Sequence, residues 1–76
     1  MMKSLIETIV TPLVDYPDDI VVTENEEEHK IVYHLSVNPD DVGKVIGKNG
    51  RIAKAIRTVV YAAGSDTKKR IYLDIV

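Results

Sequence analysis

Val45-Ile46-Gly47-Lys48-Asn49-Gly50-Arg51 is the stretch whose residue types and spacing could do chemistry. Two glycines stand three apart, with polar residues between them and Lys44, Lys48, Arg51 and Lys54 within and around them. Glycine has no side chain to hold a ligand off, so the backbone can approach one closely. The sequence reads as helix on both sides. The helix that starts at Gly50 turns its free N–H groups and positive dipole end toward the loop. That makes an anion site, and with Lys48 and Arg51 beside it the physical reading is a clamp for a phosphate backbone. The plain alternative is a helix–turn–helix corner that uses glycine for its bend. The apolar Val45-Ile46 pair, the flanking helices and the charge layout favour the clamp.

The net charge of −2 argues against a polyanionic partner when read as one number. Its distribution argues the other way. Residues 1–41 hold two basic residues against ten acids, and residues 42–76 hold eight against two, so a −8 half precedes a +6 half. No acid occurs from Val42 to Ser65, the segment that carries Lys44, Lys48, Arg51, Lys54 and Arg57. A segregated basic face attracts a polyanion even on an acidic protein, and the acidic half confines binding to that face. A second basic cluster, Lys68-Lys69-Arg70, is open between a solvated turn and an auxiliary phosphate contact.

The elements that must position the loop follow from periodicity. Ser4-Leu5-Ile6-Glu7 has the form of a capping box, and Leu5, Ile6, Ile9, Leu13, Val14 and Tyr16 follow at helical spacing. Pro12 should kink this helix or split off its last turn, and Pro17 with Asp18-Asp19 ends it. Ile20 to Thr23 reads as a short strand, Glu24 to Glu28 as a solvated acidic turn, and Lys30 to Val37 as a second strand with Ile31, Tyr33, Leu35 and Val37 on one face. Asn38-Pro39-Asp40-Asp41 is a helix start, with Asn38 as cap and both aspartates at the positive dipole end; the helix runs to about Ile46. Arg51 to Ala63 is a longer helix that ends at Gly64. Its apolar stripe is Ile52, Ile56, Val59, Val60 and Ala63, with Ala53 and Ala55 at the margins. Ser65-Asp66-Thr67 is a turn. Lys68 to Ile75 alternates as a third strand, with Ile71, Leu73 and Ile75 inward.

The order α-β-β-α-α-β predicts a two-layer α+β domain spanning residues 1–76. Strands two and three, joined through helices, can lie parallel, with strand one antiparallel beside strand two. A chain of 76 residues supports one small core. It contains no cysteine, so disulfides, thiol nucleophiles and Cys-type metal sites are excluded. His29 and His34 lack partners at ligand or general-base spacing, so no metal or cofactor is expected. The glycine spacing fits no nucleotide-binding loop, since five residues on from Gly43 stands Lys48 where a Walker loop needs glycine. An enzyme is not expected. The apolar runs are too short to span a bilayer, and no signal-peptide pattern is seen at the N-terminus, so a cytoplasmic protein is expected.

A helix–GXXG–helix unit resembles the loop of KH domains, which grip a short single strand of nucleic acid. The whole element order resembles the type II KH fold common in bacteria, a three-stranded mixed sheet covered on one face by three helices. More narrowly, Asn38 to Arg57 is similar to the KhpA (YlqC) family of small single-KH RNA-binding proteins. The broad KH pattern places a large apolar residue at position 53. Here it is Ala53 beside Ile52, which fits the KhpA-type pattern instead. The resemblance implies binding of single-stranded RNA, or single-stranded DNA, with low sequence specificity, through Lys44, Val45, Ile46, Gly47, Lys48, Asn49, Gly50, Arg51 and Lys54. Arg57, Lys68, Lys69 and Arg70 are auxiliary candidates. It also implies RNA chaperone activity, a homodimer or a heterodimer with a KhpB-type KH protein, and a link to cell shape that none of these residues carries. The competing reading is a protein-interaction module on the same scaffold that binds RNA weakly or not at all.

Tyr61 is an aromatic on the polar side of its helix, and such a residue needs a reason. It lies 11 residues beyond Gly50, roughly 16 Å along the helix, too far to stack on a base in the clamp. Covering the stem of Lys54 or Arg57 is one role. The expectation preferred here is a self-association surface over Arg57, Thr58 and Tyr61, since tyrosine is enriched at interfaces.

Overall fold

A computed structural model describes residues 2–65 and 68–75. Among them, three helices and three strands follow the expected order: α1 (Met2–Val10), β1 (Val21–Glu26), β2 (Lys30–Ser36), α2 (Val42–Ile46), α3 (Arg51–Ala63) and β3 (Arg70–Ile75). The sheet order is β1-β2-β3. β1 runs antiparallel to β2, from Val21↔Ser36 to Glu26↔Ile31. β2 runs parallel to β3, from Lys30↔Arg70 to Leu35↔Ile75. This is the mixed sheet of an α+β type II KH fold. Asp66 and Thr67 of the turn expected after α3 lie outside the described residues.

Strand alternation builds the core. Ile31, Tyr33 and Leu35 of β2 and Leu73 of β3 turn to one face and are buried there. They meet Ile6 and Val10 of α1, Val45 of α2, and Ile56 and Val60 of α3 in one cluster. The opposite face keeps Thr23, His34 and Tyr72 in contact with solvent. Among the described residues, no helix is long and apolar enough to cross a membrane.

Two local expectations change, and a third is met. α1 begins at Met2, so Ser4 lies inside it and is not a cap. The side chain of Met2 is partly buried against the core, and that packing carries the helix past its sequence signal. Pro12 does split off the end: the α-helix stops at Val10 and a 3₁₀ turn covers Thr11–Leu13. β1 extends through Glu26, into the segment expected as a turn. Ladder pairing with β2 outweighs the poor strand propensity of these residues. The acids find partners as well: Tyr33 donates to Glu24 Oε2 at 3.4 Å, and Lys69 Nζ lies 2.6 Å from Glu26 Oε2.

Candidate nucleic-acid interface

The loop between α2 and α3 is built around backbone that L side chains rarely adopt. Gly47 stands at φ 76°, ψ 174°, Asn49 at φ 60°, ψ 24°, and Gly50 at φ 73°, ψ 15°. Asparagine is among the few non-glycine residues that tolerate this region. A Cβ on Gly47 would stand 2.5 Å from Ile52 Cγ1, so the first turn of α3 is pressed against the loop. A Cβ on Gly50 would meet nothing within 4 Å, so this glycine leaves open space at the α3 N-terminus. No side chain caps α3. Its first amides and positive dipole end therefore face the loop without a built-in anion.

The charged side chains divide into two groups. Lys48, Asn49, Arg51 and Lys54 are exposed around the loop. No ion pair among the described residues engages Lys48, Arg51 or Lys54. Lys44 departs from the expected clamp. Its ammonium pairs with Asp15 Oδ2 and lies 3.3 Å from Asp41 Oδ1. The hydrogen bond to Asp15 is the chief reason its pKa rises, against an opposing effect of desolvation.

Asp41 also departs from its expected role. Asn38 does cap as expected, accepting from the Asp40 amide at 2.8 Å at the start of a 3₁₀ turn over Pro39–Asp41. Asp41, expected at the positive dipole end, stands at the α2 N-terminus but is fully buried there. It accepts from the Asp15 amide at 3.1 Å and the Tyr16 amide at 3.0 Å, and so ties α2 to the segment that follows α1. Burial pushes the pKa of its carboxyl up, but those two amides and Lys44 outweigh burial and hold it below the usual value.

Along α3 the core stripe is rotated from the expected one. Ala53, Ile56 and Val60 are buried, whereas Ile52 is 36% exposed and Val59 49% exposed. The flank of the apolar arc beside α1 stays open. The open flank is an apolar groove that joins Ile52, Ala55 and Val59 to Ile9 and Leu13. Ala53 sits in the interior while Ile52 buttresses Gly47, which settles how the two residues at the departure from the broad KH pattern are used.

Arg57 and Tyr61 turn toward β3. Arg57 Nε donates to the Leu73 carbonyl at 3.0 Å, and the Leu73 amide donates to the Tyr61 hydroxyl at 3.4 Å. β3 lies at the edge of the sheet, so these two side chains occupy polar groups that would otherwise be left unpaired. The Tyr61 hydroxyl thus has a partner within the chain, and the ring stays exposed. Thr58 is exposed, with its hydroxyl on the Lys54 carbonyl at 2.9 Å. Lys68, Lys69 and Arg70 stand at the far end of α3 from the loop and line a cavity with Tyr61, so the structure does not bring them to the clamp. Gly64 ends α3 with φ −95°, so it is not a left-handed cap. It is needed for space, because a Cβ there would stand 2.8 Å from Ile71 Cγ1. Among the described residues, no group of three or more His, Cys, Asp or Glu side chains could hold a metal ion.

Comparison with known proteins matches residues 3–75 to the family model described as KhpA/KhpB, KH domain. A protein of Oceanobacillus iheyensis named RNA-binding protein KhpA is 74% identical over 97% of this chain and 99% of its own. Proteins of the same name from Listeria monocytogenes, 56% identical over 99% of both chains, and Bacillus subtilis, 55% identical over 97% of this chain and 91% of its own, are also similar.

Proposed function

The chain belongs to the KhpA/KhpB family of KH domains, and on that premise we propose that it binds short single-stranded RNA by its phosphates at Gly47-Lys48-Asn49-Gly50. The conformation of the loop carries this reading. Backbone in the left-handed region holds the phosphate path open at Gly50, directly before an uncapped helix N-terminus. Lys48, Arg51 and Lys54 supply the charge, and Val45 and Ile46 brace the loop from α2. Lys44 is assigned to positioning, since two carboxylates already hold its ammonium. Phosphate contacts carry no base information, so low specificity belongs to the proposal, as does a role as an RNA chaperone in the cytoplasm.

Replacing Lys48 and Asn49 together with aspartate tests the clamp. Aspartate tolerates the backbone of Asn49, so the fold is retained while two negative charges face the phosphates. Loss of single-stranded RNA binding is expected; a folded variant that binds as tightly as the parent removes the clamp. About four nucleotides meet such a groove, so the slope of log affinity against log salt should be roughly −2 to −3.

A second reading, an interaction module, draws on the exposed groove of Ile52 and Val59. The two readings are compatible if the groove is where a second copy, or a KhpB-type partner, is seated. We propose the groove for self-association in preference to the surface expected over Arg57, Thr58 and Tyr61, because the Arg57 and Tyr61 side chains engage β3.

A further inference from the structure

A cavity of about 390 Å³ opens where the end of α3 meets the start of β3, within the size range of small-ligand sites. Its composition is specific: two tyrosines, Tyr61 and Tyr72, stand with Lys68, Lys69 and Arg70 around it. The Tyr61 ring is held in place and the Tyr72 ring is exposed beside a cation. The Tyr61 hydroxyl accepts from the Leu73 amide, and the Lys30 ammonium stands 5.8 Å from the centroid of the Tyr72 ring. Glu26 neutralises Lys69, whereas no ion pair among the described residues engages Lys68 or Arg70. Aromatic faces beside cations are the chemistry that takes a nucleotide, with the base on the ring and the phosphate on the cation.

The cavity also lies in line with the clamp. Lys54, Arg57 and Tyr61 fall within one stripe of α3, which leads from Gly50 to the cavity. The distance to Tyr61 is roughly 16 Å along the helix. At a rise of about 3.4 Å per nucleotide, roughly five nucleotides cover it.

We infer that this cavity seats a further nucleotide of the RNA strand held at the clamp, which extends the footprint from about four nucleotides to at most about nine. The inference rests on the RNA-binding reading of the loop. Lys68 and Arg70 each neutralise one phosphate there, and a tyrosine ring receives the base.

The test compares a uridine tetramer, which reaches only the clamp, with a uridine dodecamer, on the full chain and on Lys68→Gln/Arg70→Gln. Both side chains are exposed, and circular dichroism confirms that the variant is folded. The tetramer should bind parent and variant equally. The dodecamer should bind the variant at least about fivefold more weakly, because two of its phosphates lose their cations. Its salt slope should be shallower by about 1.4, two phosphates at about 0.7 each. Comparing variant with parent cancels the many registers that a longer strand offers the clamp. In the parent, 4-thiouridine in the outer half of the dodecamer should crosslink to a peptide bearing Tyr61 or Tyr72. Equal dodecamer affinity and slope in the two proteins, or crosslinks that avoid both tyrosines, overturns the inference and leaves the clamp standing. A parent that binds neither strand overturns the clamp reading, and this one with it.

Discussion

Gly47→Ala should be far more damaging than Gly50→Ala, although both glycines have positive φ in one loop. At φ 76°, ψ 174°, Gly47 occupies a region that side chains rarely enter, which costs about 1–3 kcal/mol. Its Cβ would also stand 2.5 Å from Ile52 Cγ1 and 2.9 Å from Ile52 Cβ. Rotating Ile52 about χ1 can move the first atom but not the second, which the α3 backbone fixes. Overpacking of that kind adds about 1–3 kcal/mol, for roughly 2–6 kcal/mol in all. Gly50, with open space around it and an ordinary left-handed backbone, should lose only about 1–2 kcal/mol. A 76-residue domain has about 4–11 kcal/mol to lose, so Gly47→Ala removes a large share and Gly50→Ala a small one. Urea titrations of parent and variants, read at constant m, measure both. The double variant Gly47→Ala/Ile52→Ala separates the causes. Truncating Ile52 removes the Cγ1 contact but leaves the Cβ contact and the backbone strain, so about 1–2 kcal/mol of the loss should be recovered relative to additivity. Equal losses at the two glycines, or no recovery on truncating Ile52, would refute the steric account.

Other expectations follow from the contacts. Asp41→Asn should lower stability at neutral pH. Because the folded pKa of Asp41 is depressed, its contribution is full above the unfolded value of about 3.9 and is lost as pH falls through the lower folded value. The gap between parent and variant should therefore close in acid unfolding below about pH 3.9, and an undiminished gap at pH 2 contradicts it. Tyr61→Phe removes one hydrogen bond to the β3 edge, should cost about 0.5–1.5 kcal/mol, and should leave the sedimentation coefficient unchanged. Val59→Asp places a charge in the α1–α3 groove and should abolish self-association in sedimentation without unfolding the half-exposed site; a variant that still pairs like the parent moves the partner elsewhere.

Local signals were legible where they act locally. The period-2 pattern of Ile31, Tyr33, Leu35 and Leu73 gave the inner face of the sheet, and α3 spans the residues read for it, Arg51–Ala63. Asn38 and Pro12 act through their immediate neighbours, and both behave as read. What escaped depends on partners distant in the chain. Asp41 is anchored by amides 25 and 26 residues away, so no window around it could distinguish a buried anchor from a dipole-end acid. The 100° period fixed an apolar arc on α3 but not which flank would stay open, and Ile52 and Val59 were left outside. Tyr61 could be recognised as out of place, but its partner is Leu73 on a strand whose position beside α3 is a tertiary fact.

In the proposed clamp, the loop and its anchor divide the labour of binding a polyanion. A loop that must accept phosphate cannot also be pinned by the carboxylates of its own chain, because an internal anion would occupy the same amides and cations. The chain meets both needs by separating them along α2. At the N-terminal end, buried Asp41 with Asp15 and Lys44 fixes the helix to the rest of the fold. At the C-terminal end, two glycines and Asn49 leave the backbone open, and the nearest cations are outside those ion pairs. Lys44 has the charge of a clamp residue, but its ammonium is paired with the carboxylates of the anchoring side. The acidic half of the chain thus has a structural use beyond repelling nucleic acid elsewhere: Asp15 and Asp41 belong to it, and both carboxylates converge on the helix that carries the clamp.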